Sequence, residues 1–261
     1  FSPLSLTGLK VYDDQNRLAV AVPSVTTGLT VLSAARGNLD PGETVIDSPN
    51  LVLFEVRKDG TDNLSTLVGP SDPDAKIVIP DFKGNITIKS LTATIQGDRI
   101  GSPIRIDPSD LSVRIPSLAN APVTTDLKLV VRRDNSPPGS PPGIITVKGD
   151  AQAIFGGVID AAKLTANQTV TLSGVDLGAV SPFLAASGVT LAGMADGDIV
   201  AKVLGLDAAE IDGDLRVKNL VVAGPALKGD TFGTALLSVP IKLSTTKDAD
   251  GTPRLRVEKL G

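Results

Sequence analysis

The sequence predicts a mainly β protein, built as one long, curved, mostly antiparallel sheet with one or two short helices. The first indication is strict alternation, because every second residue of the segment 125–132 belongs to one face: Thr125, Leu127, Leu129 and Val131. The second is the turn chemistry between such segments. The third is composition: hydrophobic residues make up 41% of the 261 residues and aromatic ones 3%, so the apolar surfaces are aliphatic.

The predicted strands follow one another along the whole chain. The first two flank the polar segment Asp13–Asn16, which is typical of a hairpin turn. In chain order the strands are expected at Ser5–Tyr12, Leu18–Val22, Gly28–Leu32, Thr44–Asp47, Leu51–Arg57, Lys76–Pro80, Gly84–Ile95, Ile104–Ile106, Leu111–Ile115, Thr125–Arg132, Ile144–Ile154, Ala161–Ser173, Val189–Ala192, Gly197–Val203, Ala209–Val222, Ala235–Thr245 and Arg254–Lys259.

Helical signals are few. Asp176 is a suitable N-cap and Gly188 a suitable C-cap for a helix over Asp176–Ser187, and Pro182 inside this segment predicts that the helix is short, kinked or begins later. The segment Asn63–Val68 could form a single helical turn. We therefore expect helices to be minor additions to the sheet.

The segment Ser136–Gly143, with four prolines and two glycines, is the sharpest break in the pattern. Proline cannot donate a hydrogen bond to a β-ladder, so the segment is neither strand nor helix. It could be a linker between domains or a long hairpin loop within one sheet. Because the strand pattern is the same on both sides, we favour the hairpin loop and predict a single elongated module over residues 1–261, with a subdivision at 136–143 as the alternative.

Two strands change the parity of their apolar residues midway, near Ser90 and near Asn219. A one-residue slip would turn half of each apolar set towards solvent. A β-bulge near each of these residues would restore a single apolar face and would bend the sheet. The alternative is a strand that is apolar on both faces.

The chemistry available to the chain is limited. It has no histidine and no cysteine, which removes the commonest general base, thiol nucleophiles and the usual soft metal ligands. The net charge is −4 and basic residues are scattered, so no nucleic-acid partner is expected. The Asp-Gly-Asp triplets at 196–198 and 212–214 are interpreted as turns, as is Asp248–Gly251, which lacks the further ligands of a calcium loop. We expect the protein not to be an enzyme and to bind no cofactor or metal. A carboxylate-dependent hydrolase is the weakest of the three functional hypotheses considered below.

Several short motifs, taken in order, resemble the AsmA-like bacterial envelope proteins. Each motif is weak alone; their order carries the resemblance, which extends over most of the chain. They are G-L-x-V-x-D at Gly8–Asp13, S-P-x-L-x-L at Ser48–Leu53, D-G-x-x-N-L at Asp59–Leu64, D-L-x-x-V-S-P-F-L at Asp176–Leu184 and G-D-L-x-V-x-N-L-x-V-x-G at Gly213–Gly224.

This resemblance implies a repeating β-groove related to AsmA and TamB, in which a taco-shaped sheet lined with aliphatic side chains carries phospholipid acyl chains between the inner and outer membranes. It also implies a periplasmic or cell-envelope location, a parent protein anchored in the inner membrane, and other envelope proteins as further candidate partners. The chain begins at Phe1 without methionine, and we expect it to be a piece of a longer protein.

The first functional hypothesis is therefore a groove segment that shields phospholipid acyl chains during transport or supports outer-membrane assembly. One-sided strands with aliphatic side chains provide the wall that acyl chains need. The second is a structural or adhesive all-β protein whose apolar faces close on each other. The candidate groove residues are Leu51, Leu53, Ile86, Ile88, Leu127, Leu129, Val131, Leu215, Val217, Val239 and Ile241.

Overall fold

The chain folds mainly as β-structure, as predicted, and most of it belongs to one large, curved, mostly antiparallel sheet. The computed structural model describes residues 3–37, 40–54, 63, 79–97, 103–136, 139–179, 188–205, 208–247 and 253–260. The strands are β1 (Leu4–Tyr12), β2 (Leu18–Thr27), β3 (Gly42–Asp47), β4 (Asn50–Phe54), β5 (Gly84–Gln96), β6 (Ile104–Ile115), β7 (Val123–Arg133), β8 (Gly143–Gln152), β9 (Ile154–Phe155), β10 (Val158–Ile159), β11 (Thr165–Asp176), β12 (Thr190–Leu204), β13 (Ala208–Ala223), β14 (Thr231–Lys247) and β15 (Pro253–Leu260). A short α-helix, α1 (Val31–Ala35), lies between β2 and β3.

The order of strands in the large sheet follows the chain almost throughout. It runs β1-β2-β3-β5-β6-β7-β8-β11-β12-β13-β14-β15, and β4 continues the line of β3 by pairing with β2 and β5. All pairs are antiparallel except β3 with β5 and β4 with β5. The proline-rich segment joins β7 to β8, which are antiparallel neighbours in this sheet. The strands β9 and β10 form a separate two-stranded ribbon.

The segment Gly28–Leu32 was expected to be a strand, and that prediction is wrong. The chain instead turns into α1, because Thr30 and Ser33 cap the first turn reciprocally. The backbone N–H of Ser33 donates to the Thr30 hydroxyl at 3.1 Å, and the N–H of Thr30 donates to the Ser33 hydroxyl at 3.0 Å. Such side chains satisfy the free N–H groups at the start of a helix, and this outweighs the apolar alternation of a short segment.

The two Asp-Gly-Asp triplets were expected to be turns, and they are not. Residues 196–198 lie within β12 and residues 212–214 lie within β13, so two predicted strands merge into β12. Glycine serves here to let neighbouring backbones approach: a Cβ at Gly197 would collide with the carbonyl oxygen of Asp214, and one at Gly213 with that of Asp198. The predicted strands at 104–106 and 111–115 merge in the same way into β6, across Pro108, at a bulge where proline is tolerated.

The predicted helix over Asp176–Ser187 is described only at its start. Asp176 ends β11, and its carboxylate caps a single 3-10 turn, Leu177–Ala179, by accepting a hydrogen bond from the N–H of Gly178 at 2.8 Å. The rest of that helix lies outside the described residues. So do the motif Asp59–Leu64, apart from Asn63, the turn expected at Asp248–Gly251, and most of the segments Asn63–Val68 and Lys76–Pro80.

The predicted β-bulges near Ser90 and Asn219 are confirmed. The pairing of β5 with β6 shifts between Ile88 and Leu91, and that of β12 with β13 shifts between Ala192 and Met194. Backbone φ is positive at five residues placed where a strand changes parity: Gly8 (68°), Ser48 (50°), Ser90 (52°), Gly174 (58°) and Asn219 (51°). We call this row the crease, and it keeps one face of the sheet apolar while it bends the strands.

Carboxylates on neighbouring strands satisfy the N–H groups that two of these bulges remove from the ladder. The N–H of Ser90 donates to Asp110 at 3.0 Å, and the N–H of Gly174 donates to Asp196 at 2.8 Å. A backbone donor left without a partner in a sheet costs stability. The two aspartates therefore hold the crease in place from the adjacent strand.

The hairpin between β1 and β2 is closed by Asp13, whose side chain is buried. One carboxylate oxygen accepts from the N–H groups of Gln15 (3.0 Å) and Arg17 (2.8 Å), and the other from the guanidinium of Arg17 (2.8 Å). Burial alone would raise the pKa of Asp13, but the hydrogen bonds from Arg17 and Gln15 outweigh it and hold the pKa below its usual 3.8. The charged carboxylate is thus the form that the folded hairpin prefers.

We expect this hairpin to weaken in acid. Because the folded pKa is depressed, the stabilisation by Asp13 is complete above the usual pKa and is lost as the pH falls below about 4 through the folded pKa. Tyr12 is the sole tyrosine and no tryptophan is present, so tyrosine fluorescence in a urea titration reports on this hairpin. As the pH is lowered, the urea concentration at the unfolding midpoint should decrease more steeply in the native chain than in Asp13→Asn. Parallel pH profiles in the two proteins would contradict the assignment.

Candidate functional site

A row of aliphatic side chains crosses the sheet at right angles to the strands. Eleven successive strands contribute one residue each, ten of them aliphatic and one a glycine, and each residue is the direct cross-strand partner of the next: Leu6, Val25, Ile46, Ile88, Leu111, Leu127, Val147, Val170, Ile199, Gly213 and Ile241. Direct partners project from the same face of a sheet, so these residues form one continuous strip, which we call the aliphatic row. At about 4.8 Å between strands, its length is about 48 Å.

A second row runs beside the first and widens the strip. It passes through Leu129, Ile145, Leu172, Gly197, Leu215 and Val239. Several of these positions were not singled out by the sequence. The signal that finds them is register: alternation shows which residues of one strand share a face, but only the pairing shows which residues of different strands lie side by side.

The apolar face is open over most of its extent. Of the eleven candidate groove residues, ten are half-buried: Leu51, Leu53, Ile86, Ile88, Leu127, Leu129, Val131, Leu215, Val239 and Ile241. Only Val217 is buried, at 3% exposure. Among the described elements, the extensive contacts are those between neighbouring strands and those between the turn 177–179 and β12, so no second sheet packs on this face.

The accessible surface agrees with an open sheet. It amounts to 15631 Å², whereas a compact protein of this mass would expose about 10,700 Å². Some residues of the apolar face are strongly exposed near its margins, such as Leu6 at 52% and Phe232 at 49%. A contiguous apolar surface across so many strands is unusual in a monomeric protein, which makes this face the candidate binding surface.

The opposite face of the same strands is polar and charged. Ion pairs join neighbouring strands there, for example Lys148 with Asp126 at 2.9 Å and Lys218 with Asp196 at 3.6 Å. These pairs are solvent-exposed and contribute little stability. Their value lies in making the two faces of the sheet chemically different, with water on one side and aliphatic groups on the other.

The apolar face carries little chemistry. Its side chains are mostly Leu, Ile, Val and Ala, and Thr125, Gln168 and Arg133 are polar exceptions on the same face. Within the described part of the chain no group of three or more acidic residues is placed to hold a metal ion. What this surface can do is exclude water from another aliphatic group.

One end of the face is different, because it is covered. Val175, Ala195, Val217 and Leu220 form a buried cluster on the apolar face of β11 to β13, and Leu177 of the turn 177–179 packs against it. Arg133, at the end of β7, forms an ion pair with Asp176 at 2.7 Å just before this turn. The sequence indicated Asp176 as a cap but gave no sign of its partner 43 residues away.

The chain matches no protein-family model, no curated protein and no solved structure with which it was compared. In the described residues, no helix is both long and apolar enough to cross a membrane.

Proposed function

We propose that the chain is a segment of a β-groove protein of the bacterial cell envelope that shields phospholipid acyl chains from water during transfer between inner and outer membranes, or in support of outer-membrane assembly. The observation that carries the proposal is the aliphatic row: a continuous strip of mostly half-buried residues, about 48 Å long, with about 4.8 Å between its members. It is long enough for a fully extended acyl chain lying across the strands.

The driving force is the removal of apolar surface from water on both partners. Each Å² of apolar surface buried contributes about 25 cal/mol, and side chains that are half-buried in the free sheet have area left to bury. The face has no charge along the row, so the acyl chain meets no desolvation cost there. Headgroups would remain outside, in water.

The family assignment rests on the motif resemblance. Gly8–Asp13 lies in β1, Ser48–Leu53 spans the crease between β3 and β4, and Gly213–Gly224 coincides with β13 and its end. These three motifs thus lie in one sheet, at its first strand, at the junction of β3 with β4 and in β13. Membership of the AsmA-like family, a periplasmic location, an inner-membrane anchor on the parent and further envelope partners form part of the same proposal.

A closed structural or adhesive β-protein is the competing function. It requires the apolar faces to pack on each other, which would bury Leu127 and its neighbours as a core. These residues are only half-buried, which favours the open groove. An enzymatic role finds no support in the composition of the open face.

Replacing Leu127 by Asp separates the two functions. In an open groove we expect the Leu127→Asp protein to remain folded, because the carboxylate can reach water, and to lose copurified phospholipid. In a closed core the same carboxylate would be buried and the protein would unfold. The measurements are circular dichroism for folding and mass spectrometry of a denaturing organic extract for lipid.

The matched control is Thr124→Asp, which adds the same charge to the exposed, opposite face of the same strand. It should retain both the fold and the lipid. A native protein from which no phospholipid is extracted, together with a Leu127→Asp protein that is unfolded, would exclude the groove.

A further inference from the structure

The turn 177–179 covers the apolar face where β11, β12 and β13 cross it. Leu177 packs against the buried cluster, and within that cluster Ala195 is 0% and Val217 3% exposed, although no described sheet lies above them. Two strands away, Leu129 and Val131 belong to the same face and remain half-exposed. Among the six partly buried residues that pack against the cluster, Leu177 is the one that does not belong to a strand of the sheet, so it is placed to compete with an aliphatic ligand there.

A cross-strand clamp holds this turn in position. Arg133 follows Val131 by two residues and so projects from the apolar face at the end of β7. Its guanidinium binds Asp176, and it lies so close to Gly178 that a Cβ at Gly178 would be 2.6 Å from Nη1. Asp176 also accepts from the N–H of Gly178. Glycine at 178 thus lets the guanidinium rest on the turn, and both Gly178 and Ala179 are buried.

We propose that this turn is a stop: Leu177, positioned by Arg133, ends the part of the apolar face that acyl chains can occupy. The inference rests on the proposed function, because it assigns an end to the surface that binds lipid. It makes Leu177 and Arg133 residues that determine which lipids fit, through the width of face that stays accessible beside the aliphatic row. Lipid would then contact the face at β7 and be excluded from it at Val217.

The test maps where an acyl chain touches the protein. The native chain is mixed with vesicles of phosphatidylethanolamine and phosphatidylglycerol that contain a phospholipid with a diazirine on its acyl chain, then irradiated and analysed by peptide mass spectrometry. We expect label on residues 127–131 and little on residues 217–222. In Leu177→Ala, label on 217–222 should rise about tenfold, because a truncated leucine competes far less well for the cluster.

The positioning role of Arg133 has its own variants. Arg133→Gln should raise label on 217–222 in the same direction, and Arg133→Lys should restore part of the native pattern through the charge. Arg132→Gln is the matched control, since the neighbouring guanidinium binds Asp107 at 3.2 Å and the carbonyl of Ser140, away from the turn. It should leave the labelling pattern native.

Two outcomes overturn the stop, and they are distinguishable from failure of the groove. Equal labelling of 217–222 and 127–131 in the native chain would show that lipid passes the turn. Unchanged labelling in both Leu177→Ala and Arg133→Gln would show that neither residue limits access. Absence of label from 127–131 would instead overturn the proposed function and the stop together.

Discussion

Replacing Gly213 by alanine should destabilise the sheet around β12–β14 by about 3 kcal/mol, the upper range for forcing extra atoms into a packed site. Gly213 lies in the middle of β13 between Ile199 and Ile241, its partners on the two neighbouring strands. An added Cβ would collide with the carbonyl oxygen of Asp198 and lie 2.9 Å from the Cα of Ile199. Both are backbone atoms, so relief requires the strands to separate and their hydrogen bonds to lengthen.

Gly233→Ala is the matched control for this change. Gly233 lies in β14 of the same sheet, but the nearest atom to a Cβ there would be the carbonyl oxygen of Leu220 at an ordinary 3.7 Å. Alanine should be neutral or stabilising by up to about 1 kcal/mol, because it reduces the freedom of the unfolded chain. Native-state hydrogen exchange of the amides in β12–β14 measures both variants. Equal effects of the two substitutions would show that close approach is not the reason for glycine at 213.

Replacing Asn219 by valine should cost about 2 kcal/mol, since a left-handed backbone is unfavourable for L-residues and most of all for β-branched ones. Asn219 has φ of 51° at the crease in β13, and its side chain is exposed. The substitution therefore removes no buried contact and acts through the backbone alone. The variant must either keep the strained conformation or lose the bulge, which would turn Leu220 and Val222 towards the charged face.

Two control substitutions test whether the loss of stability in Asn219→Val comes from the positive φ. Asn219→Gly should be neutral or slightly stabilising, because glycine adopts positive φ without strain. Arg216→Val places the same valine on an exposed site of the same strand without positive φ, and it should be tolerated. Hydrogen exchange of the amides from Val217 to Val222 reports the bulge directly. A tolerated Asn219→Val would contradict the role given to the crease.

The crease could be predicted because it repairs a visible conflict. The alternation of apolar residues reverses at Ser90 and at Asn219, and only a bulge keeps one face apolar across the reversal. Positive φ at Gly8, Ser48 and Gly174 marks the same reversal, but Gly8 and Gly174 have too few strand residues on one side to establish a parity, and Ser48 lies between β3 and β4. The sequence pattern therefore predicted the crease at Ser90 and Asn219 but not its other positions.

The wrong predictions share a cause, which is that local sequence was given more weight than neighbouring strands. An Asp-Gly-Asp triplet has the composition of a turn, but glycine at 197 and 213 serves the strand opposite. Conversely, the apolar residues at 28–32 predicted a strand, whereas the hydroxyls of Thr30 and Ser33 cap the first turn of a helix. The spacing of apolar residues contains neither the close approach of two backbones nor the hydrogen bonds of a helix cap.

For the candidate site, the sequence identified the apolar face but not its boundaries. Ten of the candidate residues lie half-buried on one face, as alternation required. The eleventh, Val217, is buried in a cluster against which Leu177 packs, 40 residues earlier in the chain, and Asp176 beside Leu177 pairs with Arg133. Contacts between residues so far apart follow from the order of strands, which single-strand patterns do not encode.

The strand order described above has a consequence for how the protein comes apart. Because each strand of the large sheet pairs with its near neighbours along the chain, the described sheet is a linear series of interfaces. In such an array the total stability is a sum of neighbour terms, and cooperativity decays with distance along the series. A destabilising substitution in β13 should therefore unfold mainly β13 and its neighbouring strands. The more distant strands of the sheet should remain folded.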